Sequence, residues 1–267
     1  MQQVVFITGA SRGIGKSIAE MFSEQGHIVY GCGRTPFVNS LFHTLVMDIT
    51  SPDQVNQSLA DIIKRHGRID VIINNAGYDL YGSFEGTSEE EMRAQMETNF
   101  FGTLNVIRAT IPYMKKQGSG RIVTIGSIGG IMAIPFNSVY SASKFALEGF
   151  LESLRFELAP YRIHILLVEP QSVRTNSLEL SIQKTKNERL EYNASVLKMV
   201  RKMKSDGESK GIDQDLLATK VVSLSQVKRP KFRYPVGRLV SSIRFVKLLL
   251  PERFFFRFIQ QNFLKGE

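Results

Sequence analysis

Short apolar runs rich in β-branched residues alternate along this chain with longer stretches of helical periodicity, and no other feature restricts the fold as strongly. The runs cover residues 3–8, 28–32, 44–47, 69–74, 121–125, 163–168 and 231–234. Most lack polar alternation, which marks strands covered by helices on both faces of a parallel sheet. Helical stretches are expected at 15–25, 53–66, 89–116, 139–159 and 213–225. The expected fold class is α/β: a single doubly wound parallel sheet of about seven strands. Residues 1–267 form one domain in this reading, because no repeat or Pro/Gly linker divides the chain. Residues 175–211 are polar and Lys-rich without a clear strand, and read as an excursion from the sheet that covers substrate.

Residues 8–15, Thr-Gly-Ala-Ser-Arg-Gly-Ile-Gly, join the first run to the first helix. Glycine there permits a tight turn and a close approach of backbone to a phosphate, and the helix start offers unpaired N–H groups to an anion. Gly9, Ser11, Arg12, Gly13, Ile14 and Gly15 are therefore candidate ligands of a dinucleotide. After the second run, Gly33-Arg34 stands where an NAD site would place a carboxylate for the ribose hydroxyls. Arg12 and Arg34 suit a 2′-phosphate, so NADP(H) is expected over NAD(H).

Tyr140 and Lys144 lie four residues apart in a helical stretch and so share a face. An ammonium beside a phenol favours the phenolate, and a tuned phenol can exchange a proton with a carbonyl oxygen while hydride moves. Ser127 follows the fifth run, at the carboxyl edge of the sheet where doubly wound folds bind ligands, and could polarise the same oxygen. Asp79, Tyr81 and Phe84 follow another turn at this edge and either border substrate or form a surface loop.

Together, residues 8–15, Asn74-Asn75-Ala76-Gly77, Asn99, Ser127 and Tyr140-x3-Lys144 resemble, in order and spacing, the motif set of the short-chain dehydrogenase/reductase family. The resemblance runs from Val4 to Thr175. It implies a Rossmann-type sheet and hydride exchange between NAD(P)(H) and an alcohol or carbonyl compound. It also implies roles: Tyr140 as general acid/base, Ser127 as stabiliser of the substrate oxygen, and Lys144 as ribose ligand and modulator of Tyr140. Asn99 would hold a relay water. Asp48 and Ile49 would meet the adenine, Asn75, Ala76 and Gly77 the adenosine ribose, and Pro170, Val173 and Thr175 the nicotinamide side. The family usually has Pro-Gly after the sixth strand. Here Gln171 replaces that glycine, which leaves local geometry, or a new amide contact to substrate, as the open question.

The net charge of +9 is concentrated in residues 228–267, where ten Lys or Arg face two Glu among many Phe. Two readings remain open: an apolar complement packed on the fold or on a subunit partner, and peripheral contact with an anionic membrane. Residues 232–237 resemble the hydroxysteroid and retinol branch of the family. The substrate is accordingly expected to be an apolar small-molecule alcohol or carbonyl compound, steroid-, retinoid- or acyl-like. Rival readings are a 3-oxoacyl reductase acting on an acidic carrier protein and a non-catalytic NADP sensor.

Other classes are disfavoured. One cysteine, Cys32, precludes an internal disulfide, the four histidines lack ligand spacing for a metal, and no nucleic-acid motif accompanies the basic end. A cytoplasmic enzyme is expected, without a signal peptide or membrane span, and the resemblance implies a homodimer or homotetramer.

Overall fold

The computed structural model describes residues 2–175, 182–186 and 190–261. Its central sheet is parallel throughout, with strand order β11-β7-β6-β4-β1-β2-β3. These strands are β1 (Val4–Thr8), β2 (Ile28–Gly33), β3 (His43–Val46), β4 (Val71–Asn74), β6 (Gly120–Ile125), β7 (Ile163–Pro170) and β11 (Arg233–Val236). The arrangement is the expected Rossmann-like α/β fold. The order reverses between β1 and β4, and ligands bind in such sheets at the crevice beyond the strand ends there.

Successive side chains of the central strands point to opposite layers, which is why their sequences are apolar without alternation. Val5, Ile7, Val71 and Ile73 meet helices α1 (Gly13–Glu24) and α7 (Gln214–Gln226) through Ile18, Phe22, Leu217 and Val221. Val4, Phe6 and Ile72 face the other layer, formed by α2 (Pro52–His66), α4 (Gly102–Gln117) and α5 (Ser138–Leu158), through Leu59, Ile107 and Leu151. Each such side chain is fully buried, and burial contributes roughly 1.5–3 kcal/mol for a Leu or Ile.

Three expectations are corrected. The helix expected at 89–116 is interrupted: α3 (Glu89–Met96) passes through a π-helical turn, Glu97–Phe101, before α4 begins. The turn holds Asn99, and such widened turns recur at functional sites. Gly102, just beyond it, packs so closely on Ile49 that a Cβ would lie 2.7 Å from the Ile49 side chain.

The second correction concerns the excursion. It contains β9 (Ile182–Lys184), which pairs with β5 (Asp79–Tyr81), and a long helix, α6 (Leu190–Lys210). The helix escapes a reading by composition because only a narrow stripe is apolar: Val196, Met199, Val200 and Met203, at helical spacing, packed with Tyr81 and Ile134. Residues 176–181 and 187–189 of the excursion lie outside the described residues. Third, the last strand falls at Arg233–Val236 rather than 231–234, with Pro235 tolerated because β11 is an edge strand.

The basic C-terminal part forms α8 (Arg238–Leu249) and α9 (Glu252–Ile259). Arg244 pairs with Glu148 and Glu169, Lys247 donates to the Ile131 carbonyl at 2.7 Å, and Arg233 pairs with Glu148 and Glu152. Val240 and Ile243 pack on Ile128, Ile131 and Met132, the loop that follows Ser127. Part of the charge thus anchors this segment to the body. Residues 262–267, including Phe263 and Lys265, lie outside the described residues. Among the described residues no helix is long and apolar enough to cross a membrane.

Candidate active site

The glycine loop is built by backbone geometry that side chains would obstruct. Gly9 and Gly13 hold φ of 67° and 55°, and a Cβ on Gly9 would lie 2.9 Å from Ala76 Cα. Asn75 braces the loop: its Nδ2 donates to the carbonyls of Thr8 and Gly9, each at 3.1 Å. The Thr8 hydroxyl oxygen accepts from the backbone N–H of Asn75 and Ala76. The first turn of α1 carries no acidic residue, so its positive end remains available to an anion.

A cavity of about 340 Å³ opens over this loop. Gly9, Ser11, Arg12, Gly13, Ile14, Arg34, Asp48, Ile49, Asn75, Ala76, Gly77 and Thr175 all line it, as expected of cofactor-binding residues. Gly15 does not. A Cβ there would come within 2.3 Å of the Gly9 carbonyl oxygen, so its role is to let helix and loop pack. Arg12 and Arg34 stand in the same wall, and Asp48 is the one carboxylate among the described lining residues. Asp48 Oδ1 is engaged by the Thr50 N–H and hydroxyl, both at 2.9 Å. The residues present therefore fit a dinucleotide. They would hold its phosphates at the α1 end and its adenosine near Arg34 and Asp48, and the bound cofactor supplies the hydride.

A second cavity of about 170 Å³ continues from the first beyond the ends of β6 and β7. Ser127, Tyr140, Lys144, Pro170, Val173 and Thr175 converge on it with Asp79, Tyr81, Ile134 and Met203. The Tyr140 hydroxyl is set against the side chains of Ser127 and Asp79 on the wall of this cavity, and both act on its proton affinity. Its ring packs against Gly129, where a Cβ would lie 2.9 Å from Tyr140 Cε1. Lys144 Nζ donates to the Ile125 carbonyl at 3.0 Å.

Asn99 lines neither cavity. Its side chain grips the backbone of Tyr78: Nδ2 donates to the carbonyl at 2.9 Å and Oδ1 accepts from the N–H at 3.1 Å. Gln95 Nε2 adds a bond to the same carbonyl at 2.8 Å. The π turn thus fixes the residue preceding Asp79.

The electrostatics differ from expectation. Burial pushes Tyr140 well above the ordinary phenol range, and the Asp79 charge adds to it; only the Ser127 bond opposes. Lys144 sits 5.7 Å from the Tyr140 ring centroid and does not reverse this. Burial lowers Lys144 itself to about 8, and Asp79 opposes that shift. Desolvation raises Asp79 to about 6 against the pull of Lys144. Tyr140 is therefore protonated and Lys144 charged near neutrality, the states a carbonyl reduction starts from.

Gln171 lines the cavity, but its Nε2 donates to the Lys210 carbonyl at 3.0 Å and its Oε1 lies over Gly237. The amide ties the end of α6 to the sheet, and Gln171 keeps a negative φ, so the missing family glycine costs no strain. Phe84 lies away from both cavities with 68% of its surface exposed, so the surface-loop alternative holds for it. Cys32 is buried and its thiol is pushed up to about 12, the behaviour of a packed core residue.

The sequence reading did not single out Tyr78, Ile128, Ile134, Gln183 or Met203 as lining residues. For Met203 the signal was available in the 196/199/200/203 spacing.

A phenol, hydroxyl and ammonium set next to a dinucleotide cradle defines an oxidoreductase that works between alcohols and carbonyl compounds. The family model for short chain dehydrogenases matches residues 3–186. A protein of Bacteroides thetaiotaomicron named 3-ketodihydrosphingosine reductase is 42% identical over 240 residues, covering 89% of each chain. A short-chain dehydrogenase from Streptomyces avermitilis superposes with a TM-score of 0.83 at 30% identity, covering 98% of this chain and 97% of its own. One from Burkholderia cenocepacia, solved in complex with NADP, matches at 26% identity with a TM-score of 0.74 over the full length of both chains. The chain belongs to the short-chain dehydrogenase/reductase family and is an NAD(P)-dependent oxidoreductase.

Proposed function

We propose that this enzyme is an NADP(H)-preferring reductase of a ketone carried on a long apolar chain. The observation that carries the reading is the junction of two cavities, one walled by Arg12 and Arg34 and the other by Ser127, Tyr140 and Lys144. In this reaction the substrate oxygen lies between Ser127 and Tyr140. The Tyr140 hydroxyl donates its proton as the carbonyl carbon accepts hydride, and Lys144 offsets the negative charge left on the phenol oxygen. The apolar wall of Tyr81, Ile134 and Met203, backed by Val196 and Met199, suits a hydrocarbon chain. The name of the Bacteroides relative points the same way, to a 3-keto group on a lipid-like substrate.

Two arginines favouring a 2′-phosphate give NADPH an expected advantage of about 10- to 150-fold per charge-assisted bond over NADH. Steady-state consumption of each cofactor against ketones of graded chain length tests both parts. Arg34→Asp is expected to reverse most of the cofactor preference. Equal use of the two cofactors by the unaltered enzyme would remove the phosphate assignment, and preference for short polar ketones would remove the apolar one.

The same reading puts the enzyme in the cytoplasm as a homodimer or homotetramer held by α4, the π turn before it and α5, where Phe101 of the turn and Phe145 and Phe156 of α5 are exposed, and at a membrane surface through α8 and α9. Phe245, Leu248, Leu249, Phe254 and Phe256 are exposed there, beside the exposed cations Arg238, Arg253 and Arg257. Each cation near an anionic surface contributes roughly 1 kcal/mol. Sedimentation velocity followed by co-sedimentation with vesicles checks both statements. The expected result is a dimer or larger that binds anionic but not neutral vesicles and is released by salt. A monomer, or a protein that ignores anionic vesicles at low salt, refutes the corresponding part.

A further inference from the structure

Asp79 is an acid where the reaction has no use for one. It lies on β5 at the wall of the inner cavity, beside the Tyr140 hydroxyl, the group that must give its proton to substrate. A carboxylate in that place works against the chemistry twice. It competes with the substrate carbonyl for the phenolic proton, and its charge opposes formation of the phenolate.

Its surroundings compensate it only in part. Among the described residues lining the cavity, Lys144 is the one cation, and Lys144 directs its Nζ to the Ile125 carbonyl instead of forming an ion pair with Asp79. Nor is Asp79 there by slack in the chain. Asn99 and Gln95 clamp Tyr78 just before it, and β5 pairs Asp79 with Ile182 just beyond. Three part-buried side-chain bonds hold the backbone beside a carboxylate that desolvation disfavours.

We infer that the Asp79 carboxylate receives a protonated amine on the carbon next to the reacting carbonyl, so that the preferred substrate is a long-chain α-amino ketone. The positions agree with this. A carbonyl oxygen between Ser127 and Tyr140 places the adjacent carbon beside Tyr140, within the space Asp79 faces. With the Tyr140 O–H turned to the carbonyl, Asp79 faces the substrate without a donor of its own, and the ammonium supplies a charge-assisted one. The arriving cation also cancels the negative charge that holds the Tyr140 proton most tightly, so binding and proton donation are linked through one residue. Tyr81, Ile134 and Met203 then face the hydrocarbon chain.

The inference rests on the carbonyl-reductase reading, and the test separates the two. Calorimetry on the enzyme with NADP+ compares a long-chain 2-amino-3-alcohol with the same alcohol lacking the amine. Turnover with NADPH compares 3-ketodihydrosphingosine, a ketone with an amine on the neighbouring carbon, with the amine-free ketone of equal length. The amine is expected to tighten binding about 10- to 150-fold, the range of a charge-assisted bond, and to lower KM for the ketone by a similar factor. Asp79→Asn, which keeps the shape, is expected to erase that preference by raising KM for the amino ketone and not for the amine-free one, while any change in kcat through Tyr140 is shared by both. Asp79→Glu should retain part of it. Retained NADPH binding shows that the variants are folded.

Equal affinity of the unaltered enzyme for amine and amine-free ligands overturns the inference, whatever the variants do. So does an Asp79→Asn enzyme that loses kcat on both ketones equally while keeping its preference, since Asp79 would then act on Tyr140 alone. An amine preference in binding with no turnover of either ketone supports the amine site and sinks the reductase reading instead.

Discussion

Replacing Tyr140 by Phe is expected to lower kcat by about 10²- to 10⁴-fold, the span general acid–base catalysis usually supplies, with NADPH affinity nearly unchanged. The substitution removes the hydroxyl that faces Ser127 and Asp79 and leaves the ring that packs on Gly129. The wall keeps its shape, and the reaction loses its proton. Stopped-flow reduction together with fluorescence titration of NADPH separates the two quantities. A Tyr140→Phe enzyme that turns over at the unaltered rate would mean that another group delivers the proton.

Removing the ammonium of Lys144 should be as damaging and in a different way. Lys144→Ala is expected to lose at least 10²-fold in kcat/KM and to weaken NADPH binding as well. The ammonium is the one positive charge among the described residues lining the inner cavity, and the resemblance to the family assigns it to the cofactor ribose. The change also leaves the buried Ile125 carbonyl without its donor, a loss of about 1–3 kcal/mol. Because burial has lowered Lys144 to about 8, its charge is complete below that pH and is lost as pH rises through it. Reduction by the unaltered enzyme should therefore fall off above about pH 8. Lys144→Arg, which stays charged, should push that limb upward while recovering part of the rate. A profile that is flat through pH 9 would dissociate the lysine charge from the rate.

Much of this architecture is written locally. A run such as Val4–Thr8 is apolar on both faces because helices cover both, and that pattern needs no tertiary information to be read. The same holds for the glycine loop, where positive φ at Gly9 and Gly13 reflects a backbone requirement that glycine alone meets cheaply. Tyr140 and Lys144 share a face by helical geometry alone. The residues that escaped, or whose meaning changed, did so for physical reasons. Helix α6 is amphipathic with a stripe of four apolar residues, so its average composition resembles a solvated loop. Gln171 could be noticed as a departure from the family, yet its amide is satisfied by Lys210, thirty-nine residues away, and nothing near it in the chain announces this.

By itself the amino-acid sequence determined the layer architecture, the glycine loop at the first strand–helix junction, and the shared helix face of Tyr140 and Lys144, because each depends on neighbours within a turn or two of chain. Only the tertiary structure decided what Asp79 is. In sequence it is an acid after a turn, equally suited to solvent. The strand order brings β5 beside α5, and β9 pairs along it; the π turn at Asn99 then clamps its approach. Burial raises its carboxyl to about 6, against the opposing pull of Lys144 and the adjacent Tyr140 hydroxyl, so that what would be a solvated carboxylate titrates close to neutrality. Protonation states and charge pairing depend on solvent exclusion by residues remote in the chain, and that exclusion exists only once the sheet and its helices have packed.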